Sequence, residues 1–306
     1  MSVFDLAWED LTAEAARELS ATFDAFLNNA NNRGHYYRAV GSPAKPTDTV
    51  MKSVLRGYLE EAEHSLNHYG VLIERELGRL PRNILDVGCS VGHVSLAASY
   101  RWPGASLLGC DVEPEAIGVA RCLCRTRPGV RFLTCAAENL PSSEGPFDLI
   151  LCSSVLEHCF EPKRFVHRLV QLLEPGGVMH LYAPNYLFPW EPHVRTWRVP
   201  GGKLLLRVLL MMTNRAPSFV DHLHFEVNPI RVKRWLRAAG PVTWQDLNED
   251  KIQSVLLGTW NGLSHPRLVS FLKRTGLNRS VAHILRLLPL TPSVHLLVRK
   301  CAERLP

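Results

Sequence analysis

No apolar run in the 306 residues approaches the length of about eighteen needed to span a bilayer. The opening stretch MSVFDLAWEDLTAEAARELS is acidic and lacks the apolar centre of a secretory leader, so a cytoplasmic location is expected. Internal repeats and low-complexity tracts are absent, which excludes solenoid and disordered classes. No Cys-x-x-Cys pair occurs. Cys122 and Cys124 are the nearest two of the eight cysteines, and their spacing is not that of a zinc site. Most of the others lie in or beside apolar runs, where a reduced thiol behaves as a small hydrophobe. Acidic residues are scarce in the second part of the chain. Residues 186–306 hold 7 Asp and Glu against 18 Lys and Arg, net +11, whereas residues 1–185 hold 22 against 17, net −5. An anionic partner would be drawn to the basic part, although a solvated basic face accounts for it equally well.

What is present sorts into two textures. Residues 12–78 are rich in Ala, Glu, Arg and Leu at helical spacing, broken at 28–33 and 41–46, which predicts an N-terminal helical cap over residues 1–82. From residue 83 short apolar runs alternate with helical stretches. Strands are expected at Asn83–Val87, Ala105–Cys110, Val130–Thr134, Phe147–Cys152 and Val178–Ala183, with helices near 92–101, 113–126 and 161–173. Crossovers that hold a helix specify a parallel sheet covered on both faces. A helix at Pro229–Ala239, a strand near Val242 and a last strand at Ser293–Arg299 complete the expected fold class: an α/β, doubly wound, mostly parallel seven-stranded sheet over residues 83–306. Residues 186–228 interrupt the alternation with Pro, Trp and His and read as an insertion over the ligand-binding edge.

The chemistry concentrates in Ile84-Leu85-Asp86-Val87-Gly88-Cys89-Ser90-Val91-Gly92, a buried strand that runs into a glycine-rich turn and then a helix. Glycines at the carboxyl end of a strand let the backbone approach a nucleotide closely. Asp111 ends the next strand, where an acidic residue reaches ribose hydroxyls. Two features in register carry more weight than either alone. The same turn also satisfies Gly-x-Ser-x-Gly, the nucleophile elbow of α/β-hydrolases, with Ser90 as nucleophile. That elbow requires earlier strands, and residues before 83 read as helical. A nicotinamide fingerprint fails because Ser90 and His93 stand where glycines are needed.

The segments ILDVGCSVGHVS, LLGCDVEPEAI, CAAENLP, FDLILCSSVLEH and LLEPGGVMHLYAPN occur in the order and spacing of the Rossmann-like (class I) S-adenosylmethionine-dependent methyltransferases, and residues 83–185 resemble that family. Pro189–His193 and Asp221–Phe225 resemble, more weakly, the insertion of bacterial small-molecule and glycan O-methyltransferases. The resemblance implies S-adenosylmethionine as cofactor. It implies that Asp86, Gly88, Ser90 and Gly92 hold the methionine end, Asp111 the ribose, and Val112 with Ala137 and Glu138 the adenine, while Ser153 contributes backbone near the sulfonium. The family usually has Gly where Ser90 stands, which calls for a turn tolerant of left-handed geometry. Ala136 stands where many relatives carry an Asp. Ser154 stands where metal-using ubiquinone-type enzymes carry a further Glu, so no metal is expected at Glu157 and His158.

If the acceptor is a hydroxyl, its proton must be taken near the transition state, and His is the usual base. The candidates are His158, just past the fourth strand, and His193, in the insertion. The ordinary alternative for each is a histidine bonded to backbone. His222 and His224 flank one Leu and read as structural. The compact aromatic insertion (Tyr186, Phe188, Trp190, Trp197) favours a small-molecule or glycan-like acceptor. A peripheral membrane contact through Lys203–Met212 stands second, against the plainer reading of a buried helix. RNA rests on charge alone and ranks third, so nucleic acid is not the expected partner.

Overall fold

The computed structural model describes residues 2–28, 48–188, 190–191, 196–197, 226–248, 266–277 and 293–302, with positions 204, 207, 208, 211, 212, 280, 284 and 291. The helical N-terminal part starts earlier than periodicity indicates. Helix α1 (Val3–Glu9) opens with a reciprocal cap, in which the Asp5 N–H donates to Ser2 Oγ at 3.2 Å and the Ser2 N–H donates to the Asp5 carboxylate at 3.2 Å. Helix α2 (Ala13–Asn28) and the thirty-residue α3 (Asp48–Leu77) follow. Gly78, at φ +69°, stops α3 by returning its N–H to Glu74 O at 2.9 Å.

Seven strands form one sheet: β1 (Asn83–Val87), β2 (Ser106–Asp111), β3 (Val130–Thr134), β4 (Phe147–Ser153), β5 (Leu173–Pro184), β8 (Val242–Asp246) and β9 (Ser293–Lys300). Their order is β3-β2-β1-β4-β5-β9-β8, and β9 pairs antiparallel with both of its neighbours while the pairs from β3 to β5 are parallel. The order reverses between β1 and β4, the switch point at which open α/β sheets bind ligands. Strand β5 begins five residues before its apolar run. Leu173 pairs with Phe147, and a register shift between Phe147 and Leu149 absorbs the polar Glu174–Gly177, with Gly176 at φ +83°. The remaining described pair, β6 (Trp190–Glu191) with β7 (Thr196–Trp197), is a two-strand ribbon within the insertion.

Helices α4 (His93–Arg101) and α5 (Pro114–Leu123) cover one face, and α6 (Pro162–Leu172) and α7 (Pro229–Ala239) the other. A last described helix, α8, spans Pro266–Thr275. The N-terminal helices share their cores with the sheet layer. Leu19, Phe23, Phe26 and Leu55 pack with Leu96, Ile117 and Ala120, while Leu66, Tyr69 and Ile73 pack over Ile84, Leu149 and Val178. Glu74 ties α3 to α4, accepting from Arg101 Nη2 at 2.8 Å and Trp102 Nε1 at 2.9 Å. Under α3, His180 and His295 lie across the β5–β9 pair with their Nε2 atoms 2.8 Å apart, and Tyr69 packs its ring on both. All eight cysteines are free, and burial pushes the Cys89, Cys110, Cys124 and Cys152 thiols up, so they act as core hydrophobes.

One buried carboxylate holds the amino end of the sheet. Asp148, 1% exposed, accepts from Arg79 Nη1 at 2.5 Å, the Arg82 N–H at 2.8 Å and the Asn83 N–H at 3.0 Å. Asp148→Ala leaves two buried backbone donors without their acceptor and Arg79 with Glu174 as its remaining carboxylate, so it is expected to cost roughly 2–4 kcal/mol, read as a lowered urea midpoint. An unchanged midpoint would exclude this clamp from the stability of the fold.

Candidate active site

Strand β1 delivers its glycine-rich turn to the carboxyl edge of the sheet at the switch point. The turn hangs from the end of β2: the Gly88 and Cys89 N–H groups donate to Cys110 O at 2.8 and 3.1 Å. Gly88, Ser90 and Gly92 all lie in the left-handed region, at φ +65°, +48° and +80°. A Cβ on Gly88 would stand 2.3 Å from Val155 Cγ2, so the turn packs against the loop after β4 as closely as its lack of side chains permits. Ser90 adopts a conformation that costs a non-glycine residue roughly 1 kcal/mol or more, and Ser154, at φ +57°, does the same after β4.

Asp111 organises this edge. Its Oδ2 accepts the Ser90 N–H at 2.8 Å and its Oδ1 the Glu113 N–H at 3.0 Å. The acid at the tip of β2 and the turn after β1 are therefore in direct contact, as a shared nucleoside site requires. One bond to each oxygen leaves further lone pairs for sugar hydroxyls. Val112 beside it is 68% exposed, an apolar shelf with nothing packed on most of its surface.

Asp86 sits deeper, 4% exposed, and Ser95 Oγ donates to its Oδ2 at 2.6 Å. Burial pushes its carboxyl up to about 7, helped by the nearby Asp111 charge and opposed by the Ser95 hydrogen bond. Ser95, in the first turn of α4, holds this carboxylate; it closes the segment ILDVGCSVGHVS, but the motif by itself gave it no role.

The other motif residues occupy the same edge. Ala137 is buried and Glu138 half-buried in a single helical turn after β3, where the Cys135 N–H donates to Asp111 O at 2.9 Å. Ser153 is exposed at the end of β4, opposite Tyr182 of β5. His158 is exposed, with Nε2 4.0 Å from Oε1 of the fully buried Glu157. His193, His222 and His224 lie outside the described residues. Glu138 also lines a cleft of about 820 Å³ together with Phe160, Lys163, Arg164, His167 and Trp235.

The family profile described as "Methyltransferase domain" matches residues 84–177. The ubiquinone biosynthesis O-methyltransferase of Pseudomonas paraeruginosa is 30% identical over 184 residues, covering 58% of this chain and 72% of that protein. The chain belongs to the class I S-adenosylmethionine-dependent methyltransferases. The enzyme named alike from Azoarcus sp. is 30% identical over 171 residues, covering 55% of this chain and 67% of that protein. In fold, the methyltransferase resembles the plantazolicin methyltransferase BpumL in complex with a monoazolic desmethylPZN analog and SAH, at a TM-score of 0.51, 15% identity and coverage of 94% and 98%.

It is thus an enzyme that uses S-adenosylmethionine. The donor set suits that molecule: an acidic pair of oxygens at Asp111 for vicinal hydroxyls, an apolar shelf at Val112 and Ala137 for a purine, and a buried carboxylate at Asp86 for an ammonium. The hydrolase reading of Ser90 lapses. Among the described residues no strand precedes β1, so the sheet that an elbow needs is not in place before it.

Proposed function

We propose that this methyltransferase moves a methyl group to an oxygen of a small-molecule or glycan-like acceptor, and that the observation carrying the cofactor half is the 2.8 Å bond from the Ser90 N–H to Asp111. S-adenosylmethionine supplies a methyl on a sulfonium, which is already a good leaving group. The residues then have to bind, align and exclude water, which orientation rewards strongly. In this reading Asp111 takes the ribose hydroxyls, and Val112, Ala137 and Glu138 border the adenine. Gly88, Ser90 and Gly92 give the methionine end a floor without bulk. Asp86 faces the amino group and Ser153 lies beside the sulfur. The described helices α1–α3 of the proposed cap, residues 1–82, cover the sheet on the side of α4 and α5.

The oxygen follows from two supports. The relatives above are named O-methyltransferases, and an exposed histidine, His158, follows β4 at the edge where Ser153 lies. We assign His158 the acceptor's proton. His193 is the second candidate for that role. Phe160, 89% exposed and two residues beyond His158, lines the cleft beside Glu138, an aromatic wall for a compact acceptor.

Purified enzyme, S-adenosylmethionine with a labelled methyl and a fractionated small-molecule extract test the assignment, with the labelled product identified by mass spectrometry and NMR. An O-methyl product is expected, and His158→Ala should lower kcat by about two orders of magnitude or more while leaving adenosylhomocysteine affinity alone. A product labelled on nitrogen or carbon, or a His158→Ala enzyme of ordinary rate, would overturn it.

Asp86 adds a pH signature. Its carboxyl titrates at about 7 in the protein without cofactor, so below that pH it is neutral and must lose a proton to meet an ammonium. Adenosylhomocysteine affinity should therefore fall as pH drops, by about tenfold per unit below 7, and level off above it. By the same sign, the fold without cofactor loses stability as pH rises from the usual carboxylate range to about 7. Calorimetry with Asp86→Asn should show weaker binding with that pH slope gone, and a slope that persists in the variant would remove Asp86 from the amino-group site.

A further inference from the structure

The cleft of about 820 Å³ that Glu138 and Phe160 border runs along α6, with Trp235 of α7 also in its wall. Helix α6 divides by spacing. Phe165, Val166, Leu169 and Val170 are buried in the core, whereas Lys163, Arg164, His167, Arg168 and Gln171, at i, i+1, i+4, i+5 and i+8, line the cleft. Its volume is of the size that takes a small molecule.

A polar helix face ordinarily stands in water, where each of its polar atoms is solvated. Two atoms here are not. Arg168 Nε and His167 Nε2 are buried and find no hydrogen-bond partner among the described residues. The one hydrogen bond that the Arg168 guanidinium makes among those residues runs from Nη2 to Leu140 O at 2.5 Å. Other charges in the lining are answered, Arg164 by Glu161 at 3.2 Å and Glu226 by Arg231 at 2.5 Å. Neither Lys163 nor Arg168 forms an ion pair with any described residue, and Glu138 is the one acid of the described lining left to set against them. A guanidinium anchored by one nitrogen keeps a planar fork for a carboxylate or phosphate, and a buried N–H without an acceptor costs stability that such an anion restores. Beside these cations Trp235 forms a largely buried wall, and Phe160, 89% exposed, has most of its ring uncovered. Aromatic surface next to unpaired cations suits a ring that carries negative charge.

We propose that this cleft selects an anionic acceptor, with its carboxylate or phosphate on Arg168 and Lys163 and its ring against Trp235 and Phe160. The proposal rests on the reading that sets the acceptor beside Phe160, and it adds the acceptor's charge.

The test first separates the cleft from methyl transfer. Phenyl phosphate and benzoate serve as anionic probes and phenol as the neutral one, each titrated by calorimetry into the full chain saturated with adenosylhomocysteine. The anions are expected to bind about tenfold or more tighter than phenol, and less tightly in high salt. Lys163→Glu and Arg168→Met should each lower anion affinity about fivefold or more while phenol affinity stays as it was. Lys163 is exposed, so its variant should bind adenosylhomocysteine like the wild type, and it decides the matter even if Arg168→Met disturbs the turn at Leu140. In the reaction, the labelled product from the extract should be retained on an anion-exchange resin, and Lys163→Glu should raise KM for its acceptor with kcat little changed. Equal affinity for phenol and both anions, or anion affinity untouched in Lys163→Glu, would overturn the cleft's role. A labelled product that is uncharged at neutral pH would overturn the anionic acceptor. An anionic product methylated on nitrogen or carbon would sink the oxygen assignment alone and support this one.

Discussion

Replacing Asp111 with alanine is expected to weaken adenosylhomocysteine binding roughly thirty- to two-hundredfold, about 2–3 kcal/mol, in calorimetry at neutral pH. Two losses combine. The carboxylate that the reading gives to the ribose is removed, and the Ser90 and Glu113 N–H groups that donate to it at 2.8 and 3.0 Å lose their acceptor. The second loss loosens the turn itself, since Ser90 holds a left-handed conformation that its own side chain disfavours. Asp111→Asn separates the two. It retains one oxygen but exchanges the other for a donor that opposes either the Ser90 or the Glu113 N–H, so its affinity should fall between wild type and alanine. Unchanged affinity in the alanine variant would leave the carboxylate only its role in the turn and would remove the ribose assignment.

Gly92→Val is expected to cost roughly 3 kcal/mol or more of folding stability and to abolish measurable cofactor binding. Gly92 opens α4 at φ +80°, a conformation that a β-branched residue adopts only with strain. Its Cβ would lie 2.8 Å from Ala120 Cβ, 3.0 Å from Ala120 Cα and 3.3 Å from Phe132 Cζ. Ala120 Cα belongs to the backbone of α5, so relief requires moving a helix. Gly78→Ala is the control: φ is similar at +69°, but nothing lies within 4 Å of a Cβ there, so only the conformational penalty of about 1 kcal/mol applies. Urea midpoints of the two variants should differ clearly. Equal midpoints would show that α5 can yield, and that the tight packing under the turn is not what restricts position 92.

The strands were readable because a sheet buried on both faces demands near-continuous apolar runs, which Leu107–Cys110 and Leu149–Cys152 provide and which Ile84–Val87 interrupts only at Asp86. Boundaries were harder where polar residues join a strand. Glu174–Gly177 pair into β5 only through a register shift that alternation cannot reveal. Helix α1 went unread because its seven residues carry too little periodicity, while the capping box that starts it uses Asp5 in place of the usual Glu or Gln. In the site, the glycine turn and Asp111 were visible as spaced motifs. Their hydrogen-bonded contact was not, because it depends on β1 and β2 lying side by side. The same holds for Ser95, whose bond to Asp86 needs α4 folded back across the end of β1.

The amino-acid sequence by itself determined the class of fold and the chemistry of the edge: local patterns of apolar runs, glycines that permit left-handed turns, and an acid ending the second strand need no partner to be recognised. Tertiary structure alone decided what depends on proximity and burial. It joined the turn to Asp111 and shifted the Asp86 carboxyl by removing it from water, because each of these is a property of neighbours that lie apart along the chain.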